Sequence, residues 1–195
     1  MDSMASAVIW RRLVYMLTPQ IDLYENVPRM VQGRRVLEVG FGTGIGCLQY
    51  AHAAEYIDAV EIDPAAVAFA RRMLPLRNVR WLLDDVVNPT RTYRAYDVFL
   101  AIEVLEHVVD RGAALRTLRG ALAPGGWGLV TVPNSLRYRR RTEALNAEEW
   151  TPDGALAMLG EVFQSAILLD ARLMPQADQQ HRESPIVVAV QRGRA

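Results

Sequence analysis

One strand-like run passing straight into four glycines constrains this chain more than any other feature. The segment VLEVGFGTGIG spans residues 36–46 and places Gly40, Gly42, Gly44 and Gly46 at alternate positions. Glycine lets the backbone turn sharply and admits a ligand where a Cβ would collide. A helix following such a loop offers unsatisfied N–H groups and a partial positive field. Two phosphate-binding patterns fail here. The dinucleotide spacing G-x-G-x-x-G needs glycine at 45 or 47, where Ile45 and Cys47 stand. The P-loop needs Gly-Lys-Ser/Thr, and the chain contains no lysine.

The surrounding pattern predicts an α/β domain. Strands are expected at 35–39, 56–62, 79–83, 96–102 and 127–132, and helices at 45–54, 65–74 and 111–122. Alternation of this kind favours a mostly parallel sheet with right-handed crossovers and helices on both faces. Asp63-Pro64 reads as an N-cap followed by proline in the first helical turn. Asp110 caps the next long helix, and Pro124-Gly125-Gly126 stops it. Thr151-Pro152 opens a helix to about Phe163. Two runs without a helix between them, 165–173 and 184–192, predict an antiparallel closing hairpin. Near the start, Ile9, Leu13, Met16 and Leu17 share one face of a helix over 6–17, which Thr18-Pro19 ends. Residues 1–195 read as one domain, with 1–34 a helical cap or lid and 35–195 the core.

Composition excludes several function classes. Hydrophobic residues make up 51% and charged residues 23%, the balance of an ordinary globular domain. Lys+Arg and Asp+Glu both number 22, so no global pull toward nucleic acid or anionic membrane is expected. Cys47 is the single cysteine, which rules out an internal disulfide. The apolar start is interrupted by Arg11 and Arg12 and is too short for a membrane span. A cytoplasmic protein is expected.

The carboxylates complete the pattern. Glu38 lies within the first strand and Glu61 follows Gly40 by twenty-one residues, at the end of the second. An acid at that place can accept both hydroxyls of a ribose, as in nucleotide enzymes generally. The spacing E-x-G-x-G-x-G from Glu38 through Gly40, Gly42 and Gly44 resembles the first motif of the class I S-adenosylmethionine-dependent methyltransferases. The resemblance implies a Rossmann-like, mostly parallel seven-stranded sheet and S-adenosylmethionine as cofactor. It implies that the glycine loop lies under the amino-acid and ribose parts and that Glu38 holds the ammonium group. By the same likeness Asp85 of LLDDV (82–86) receives the adenine amino group, with Asp84 the neighbouring alternative. Ile62, Val86 and Glu103 join the implied cofactor-binding set.

The segment AIEVLEHV (101–108) is similar to one found in ubiquinone-pathway O-methyltransferases and in small-RNA 2′-O-methyltransferases. With LAPGGWGLVTVPN (122–134), the likeness covers about half the chain, Val36 to Val132. Were 103–107 helical, Glu103, Glu106 and His107 would stand at i, i+3 and i+4 and could converge on a divalent metal. In the small-RNA enzymes another histidine completes that set. Here Asn146 stands at the matching place, a poor replacement, and no metal is expected. His107 is instead the candidate general base, because an imidazole near its ordinary pKa takes a proton from a hydroxyl or ammonium nucleophile. His52 and His181 suggest no role. The run SLRYRRRT (135–142) holds four arginines and reads as a solvated basic loop, or as a contact for an anionic acceptor. Asn134 falls at the carboxyl end of a strand, where open α/β sheets bind ligands. The expected reaction is methyl transfer to oxygen or nitrogen of a small-molecule acceptor. The alternatives are an RNA 2′-O-methyltransferase or a non-catalytic subunit.

Overall fold

The computed structural model describes residues 21–135, 150–170, 172–176 and 185–193. The helix expected at 6–17 and arginines 137–141 lie outside them, as do Asn146 and His181. Seven strands form one sheet: β1 (Arg35–Val39), β2 (Tyr56–Glu61), β3 (Val79–Leu83), β4 (Tyr96–Ile102), β5 (Leu122–Val132), β6 (Ser165–Leu169) and β7 (Ile186–Gln191). The helices are α1 (Ile21–Val31), α2 (Ile45–Tyr50), α3 (Pro64–Met73), α4 (Arg111–Ala121) and α5 (Pro152–Gly160). A single 3₁₀ turn, Leu105–His107, follows β4.

The strand order is β3-β2-β1-β4-β5-β7-β6. Strands β1 to β5 run parallel, and β7 pairs antiparallel with both β5 and β6. The expected hairpin is present, but its second strand fills the gap beside β5 and its first becomes the sheet edge. The order reverses between β1 and β4, which opens a crevice beyond their carboxyl ends.

Side chains alternate across the sheet with the two-residue period of a strand. Val36, Ile57, Val98 and Leu100 meet Leu23 and Val27 of α1, Cys47 and Tyr50 of α2, and Val67 of α3. Leu37, Val39, Phe99 and Ala101 meet Leu115 and Leu118 of α4 and Leu159 of α5 on the other face. Each fully buried aliphatic or aromatic side chain stabilises the fold by roughly 1.5–3 kcal/mol. Helices therefore cover both faces, as the alternation of elements predicts.

Helix starts follow the capping residues. Asp63 accepts from Ala65 N at 2.8 Å, Asp110 from Ala113 N at 2.8 Å, and Thr151 from Gly154 N at 3.1 Å. Several boundaries differ from expectation. Helix α2 stops at Tyr50, four residues short of 54, and its last turn continues as a turn at 51–53. Strand β5 starts at Leu122 rather than Trp127. Its register jumps between the Tyr96↔Leu122 and Val98↔Trp127 pairs, so Pro124-Gly125-Gly126 forms an irregularity within the strand rather than a boundary before it. Strand β6 ends at Leu169, where Asp170 accepts from Arg172 N and Met174 N and turns the chain.

The amino edge of the sheet is fastened by charge. Arg35 and Asp97 join the starts of β1 and β4, with Nη2–Oδ1 at 3.1 Å and the Arg35 backbone N–H donating to Oδ2 at 2.9 Å. Buried Asp58 receives Arg80 at 2.7 and 2.6 Å, Tyr96 at 2.5 Å, and the Tyr56 hydroxyl. These groups lie opposite the crevice and hold the sheet together.

Close approach explains Gly128. A Cβ there would sit 2.2 Å from the ring of Phe99, itself fully buried and 5.7 Å from the Phe163 ring centre. Gly128→Ala is expected to lower stability by about 1–3 kcal/mol, as overpacking does. A urea titration checks this, and an unchanged midpoint would show that Phe99 has room to move.

Candidate functional site

The glycine loop has the backbone that its residues permit. Gly40, Gly42 and Gly44 have φ of 67°, 57° and 77°, the left-handed region that L side chains rarely adopt. Space is short as well. A Cβ on Gly40 would lie 2.5 Å from Val104 Cγ2, and one on Gly44 would lie 2.5 Å from Leu74 Cδ1. The loop is fastened to the second strand, because Gly40 N donates to Val60 O at 2.8 Å.

Glu61 faces this loop. Its Oε2 accepts from Gly42 N at 2.8 Å, and its Oε1 accepts from Ile62 N at 2.8 Å and Asp63 N at 3.1 Å. Three backbone donors thus orient a half-buried carboxylate above the crease. Ile62 stands next to it with 66% of its surface exposed, an apolar side chain that the fold leaves uncovered.

Glu38 is buried on the α2 side, where Cys47 Sγ donates to its Oε2 at 2.5 Å. Burial raises its pKa, and the Cys47 thiol that donates to it, with the nearby Tyr50 hydroxyl, opposes that shift. Burial, with the charge of Glu38, also pushes up the Cys47 thiol and the Tyr50 hydroxyl. The Tyr24 hydroxyl, from α1, is likewise raised by burial and then by the charges of Glu38 and Glu103.

Adjacent Asp84 and Asp85 have separate tasks. Asp84 is buried and saturated: Oδ1 accepts from Asp85 N, Thr90 N and Thr90 Oγ1 at 3.1, 2.9 and 2.9 Å, and Oδ2 from Arg91 Nε at 3.2 Å and Tyr93 Oη at 2.6 Å. Burial alone would raise its pKa. The donors, Tyr93 first, outweigh burial and hold it at about 2. Asp84 therefore ties the β3–β4 connection together. Asp85 is partly exposed and accepts from Val87 N at 2.8 Å and Asn88 Nδ2 at 3.3 Å, so of the two it is the acid open to a ligand. Val86 is partly buried against the core.

The turn after β4 is not the helix that a Glu103, Glu106 and His107 metal triplet would need. Glu103 lies outside the 3₁₀ turn with φ of 54°, so the i, i+3, i+4 convergence of Glu103, Glu106 and His107 on a helix does not occur. Among the described residues no three acidic, histidine or cysteine side chains gather as a metal site. The strained Glu103 backbone is held by Thr131, whose carbonyl and hydroxyl accept from Glu103 N at 3.1 and 3.0 Å. The Thr131 hydroxyl also lies 3.1 Å from Glu103 Oε1. Burial raises the pKa of Glu103, and burial followed by the Glu103 charge raises that of Glu106. The Glu106 side chain is 8% exposed and that of His107 is 67% exposed, with His107 Nε2 3.9 Å from Glu106 Oε1. His107 thus stands at the surface rim, beyond hydrogen-bond reach of its neighbour.

Four contributors escaped the sequence reading: Tyr24, Tyr50, Thr131 and the Cys47 thiol. Tyr24 belongs to α1, whose Leu23, Val27, Met30 and Val31 carry the i, i+4, i+7, i+8 stripe that would have revealed the helix. Thr131 carries no local signal, because its partner is 28 residues away. Asn134, expected at the site, is fully buried.

Residues 17–168 match the methyltransferase-domain family. The chain is 28% identical over 180 residues to a Mycolicibacterium smegmatis protein named "Probable S-adenosylmethionine-dependent methyltransferase", covering 87% of this chain and 68% of that one. It is 29% identical over 130 residues to the ubiquinone biosynthesis O-methyltransferase of Rhodopseudomonas palustris, covering 64% of this chain and 50% of that protein. The chain thus spans about half the length of several relatives that it matches. In fold it resembles a chain from the complex of the Haloferax volcanii Trm112 methyltransferase activator with a methyltransferase, at TM-score 0.76, 12% identity and 99% coverage of both chains. It also resembles the N-methyltransferase NodS of Bradyrhizobium japonicum solved with S-adenosyl-L-homocysteine, at TM-score 0.66, 16% identity, and 88% and 84% coverage. The chain belongs to the methyltransferase-domain family, within the class I S-adenosylmethionine-dependent methyltransferases. S-adenosylmethionine is its cofactor.

The residues suit that group. An oriented carboxylate at Glu61 matches a diol, a bare-backbone loop admits close approach, and the buried hydroxyl of Thr43 finds no partner among the described residues.

Asp84 generates a pH prediction. Its folded value of about 2 lies below the ordinary 3.8, so its contribution to stability is present above about pH 4 and is lost as pH falls through about 2. Tyr93→Phe removes one donor to a charged acceptor, a loss of about 1.5–3 kcal/mol at neutral pH. The acid unfolding midpoint is expected to rise; circular dichroism between pH 5 and 2 decides, and an unmoved midpoint would remove the role given to Tyr93.

Proposed function

We propose that the chain transfers a methyl group to an oxygen or nitrogen of a small-molecule acceptor. The carboxylate of Glu61, held over the glycine loop by three backbone donors, is the observation that carries this reading. In this reading Glu61 accepts the two ribose hydroxyls, and Gly40, Gly42 and Gly44 give the cofactor a surface without side chains. Glu38 faces the ammonium group, Asp85 the adenine amino group, and Ile62 and Val86 supply apolar contact to the base. Glu103 borders the methionine end, because Val104 packs on Gly40. When bound, S-adenosylmethionine supplies a methyl group already activated by its cationic sulfur.

The remaining work falls to position and exclusion of water. Holding the acceptor atom in line supplies up to about 7–11 kcal/mol of the barrier reduction. His107 at the rim takes a proton from an acceptor that arrives protonated. A small acceptor is supported by the ubiquinone O-methyltransferase relative and by the NodS N-methyltransferase neighbour. Among the described residues no helix is long and apolar enough to cross a membrane.

Two experiments test the reading. Glu61→Ala is expected to bind S-adenosylhomocysteine about 100-fold more weakly, the loss of two hydrogen bonds to a charged acceptor, with the far-ultraviolet circular dichroism of the folded chain retained and a lower thermal midpoint from the three backbone donors it leaves unmet. Equal calorimetric affinity would remove the ribose assignment. His107→Ala is expected to cut transfer to an acceptor found by screening pools with labelled cofactor, by about 100-fold or more. Full turnover would end the base role.

A further inference from the structure

Glu38 is the second-last residue of β1, at the foot of the glycine loop, and keeps 5% of its surface exposed. The Cys47 thiol fixes its Oε2 at 2.5 Å, whereas no hydrogen bond from the described residues reaches Oε1. Gly46, the last glycine of the run, locates that second oxygen. A Cβ there would stand 3.4 Å from Glu38 Oε1, 3.3 Å from Tyr50 Oη and 3.2 Å from Tyr24 Cε1. Groups from β1, α2 and α1 therefore surround one point beside the loop.

The Tyr50 hydroxyl is an independent sign of what that point receives. It is fully buried and forms no hydrogen bond with the described residues. A buried carboxylate oxygen and a buried hydroxyl left unmet around one point are costly, and folds retain such groups where a ligand satisfies them. Both oxygens accept, and one carries negative charge, so the matching group is a cation with several N–H donors. The thiol has a different task. It is fully buried, and burial with the Glu38 charge keeps it protonated, a donor rather than a nucleophile.

We propose that Cys47 is a positioning residue: its thiol fixes Glu38 Oε2, so that Oε1 and the Tyr50 hydroxyl receive the N–H groups of the cofactor's ammonium. This rests on the reading in which Glu38 faces that ammonium, and it adds the residues that prepare Glu38 for it. A closed cluster that serves only the fold is the competing outcome.

The test measures binding to the full chain by calorimetry, with two ligands. S-adenosylhomocysteine carries the ammonium group; 5′-methylthioadenosine keeps the adenosine and the thioether but lacks the amino-acid end. Cys47→Ala and Cys47→Val both remove the donor, one leaving space and the other filling it. Whichever melts closer to the wild type is expected to bind S-adenosylhomocysteine about tenfold more weakly and methylthioadenosine equally well. Cys47→Ser keeps a donor and is expected to restore the affinity. Tyr50→Phe is expected to show the same loss, again for one ligand only.

The pH profile carries a sign. The titratable groups around Glu38 are Cys47 and Tyr50 of α2, Tyr24 of α1 and Glu61 at the end of β2, with Glu103 beyond Tyr24. Burial raises the Glu38 pKa and the thiol lowers it, so removing the thiol raises it further. A protonated Glu38 does not attract a cation, and the loss in the variant is expected to widen as pH falls from about 8 to about 6. Unchanged affinity, equal losses for both ligands, a serine variant as weak as the alanine one, or a loss independent of pH would each overturn the proposal. Glu38→Gln is titrated alongside. Binding of S-adenosylhomocysteine as tight as in the wild type would overturn the ammonium reading itself, whatever the Cys47 variants do.

Discussion

The parallel pairing of β1 with β2 on one side and β4 on the other is the constraint on which the rest depends. Val39 stands opposite Val60 and Ala101, and the ladder continues one residue into the loop through Gly40 N and Val60 O at 2.8 Å. The glycine crease is therefore held by a neighbouring strand rather than left as a free turn. Because β2 carries Glu61 at its end, the same pairing brings the carboxylate to Gly42 N. On the opposite flank β4 ends where Val104 covers Gly40. A shift of one residue in either register would turn the strand side chains to the wrong faces and separate the crease from its acid.

The acids around this crease show how environment assigns roles to one chemical group. Asp84 is saturated with donors and strongly acidic, which suits a structural tie. Glu61 is held by backbone N–H groups and left partly open, as a binding acid must be. Glu38, Glu103 and Glu106 are buried and raised, each with a different level of compensation. Glu38 has a thiol, Glu103 a threonine hydroxyl, and one Glu106 oxygen nothing from the described residues. Environment thus separates an acid that serves the fold, Asp84, from one left open to a ligand, Glu61.

Much of this was readable before any coordinates. Local periodicity and punctuation place β1 to β4, α3 and α4 close to where they lie, because strand alternation and helix caps act over a few residues. The glycines had to be glycines, since three of them adopt positive φ. The turn at 103–107 was not legible for a physical reason: local spacing leaves a helix there open, but Thr131 on a distant strand holds Glu103 in a left-handed conformation. Likewise residue type does not separate Asp84 from Asp85, and only the family likeness points to Asp85. Their difference arises from Thr90, Arg91 and Tyr93, which the chain returns to Asp84 after a loop.

Backbone preferences and short-range spacing were enough for the α/β class, the crease and the acid opposite it. Tertiary structure alone decided that β7 enters between β5 and β6, that Asp85 rather than Asp84 faces outward, and that Glu106 is enclosed with an oxygen unmet. Those outcomes depend on which distant groups arrive as neighbours, and burial and hydrogen bonding act on neighbours in space, whatever their separation along the chain.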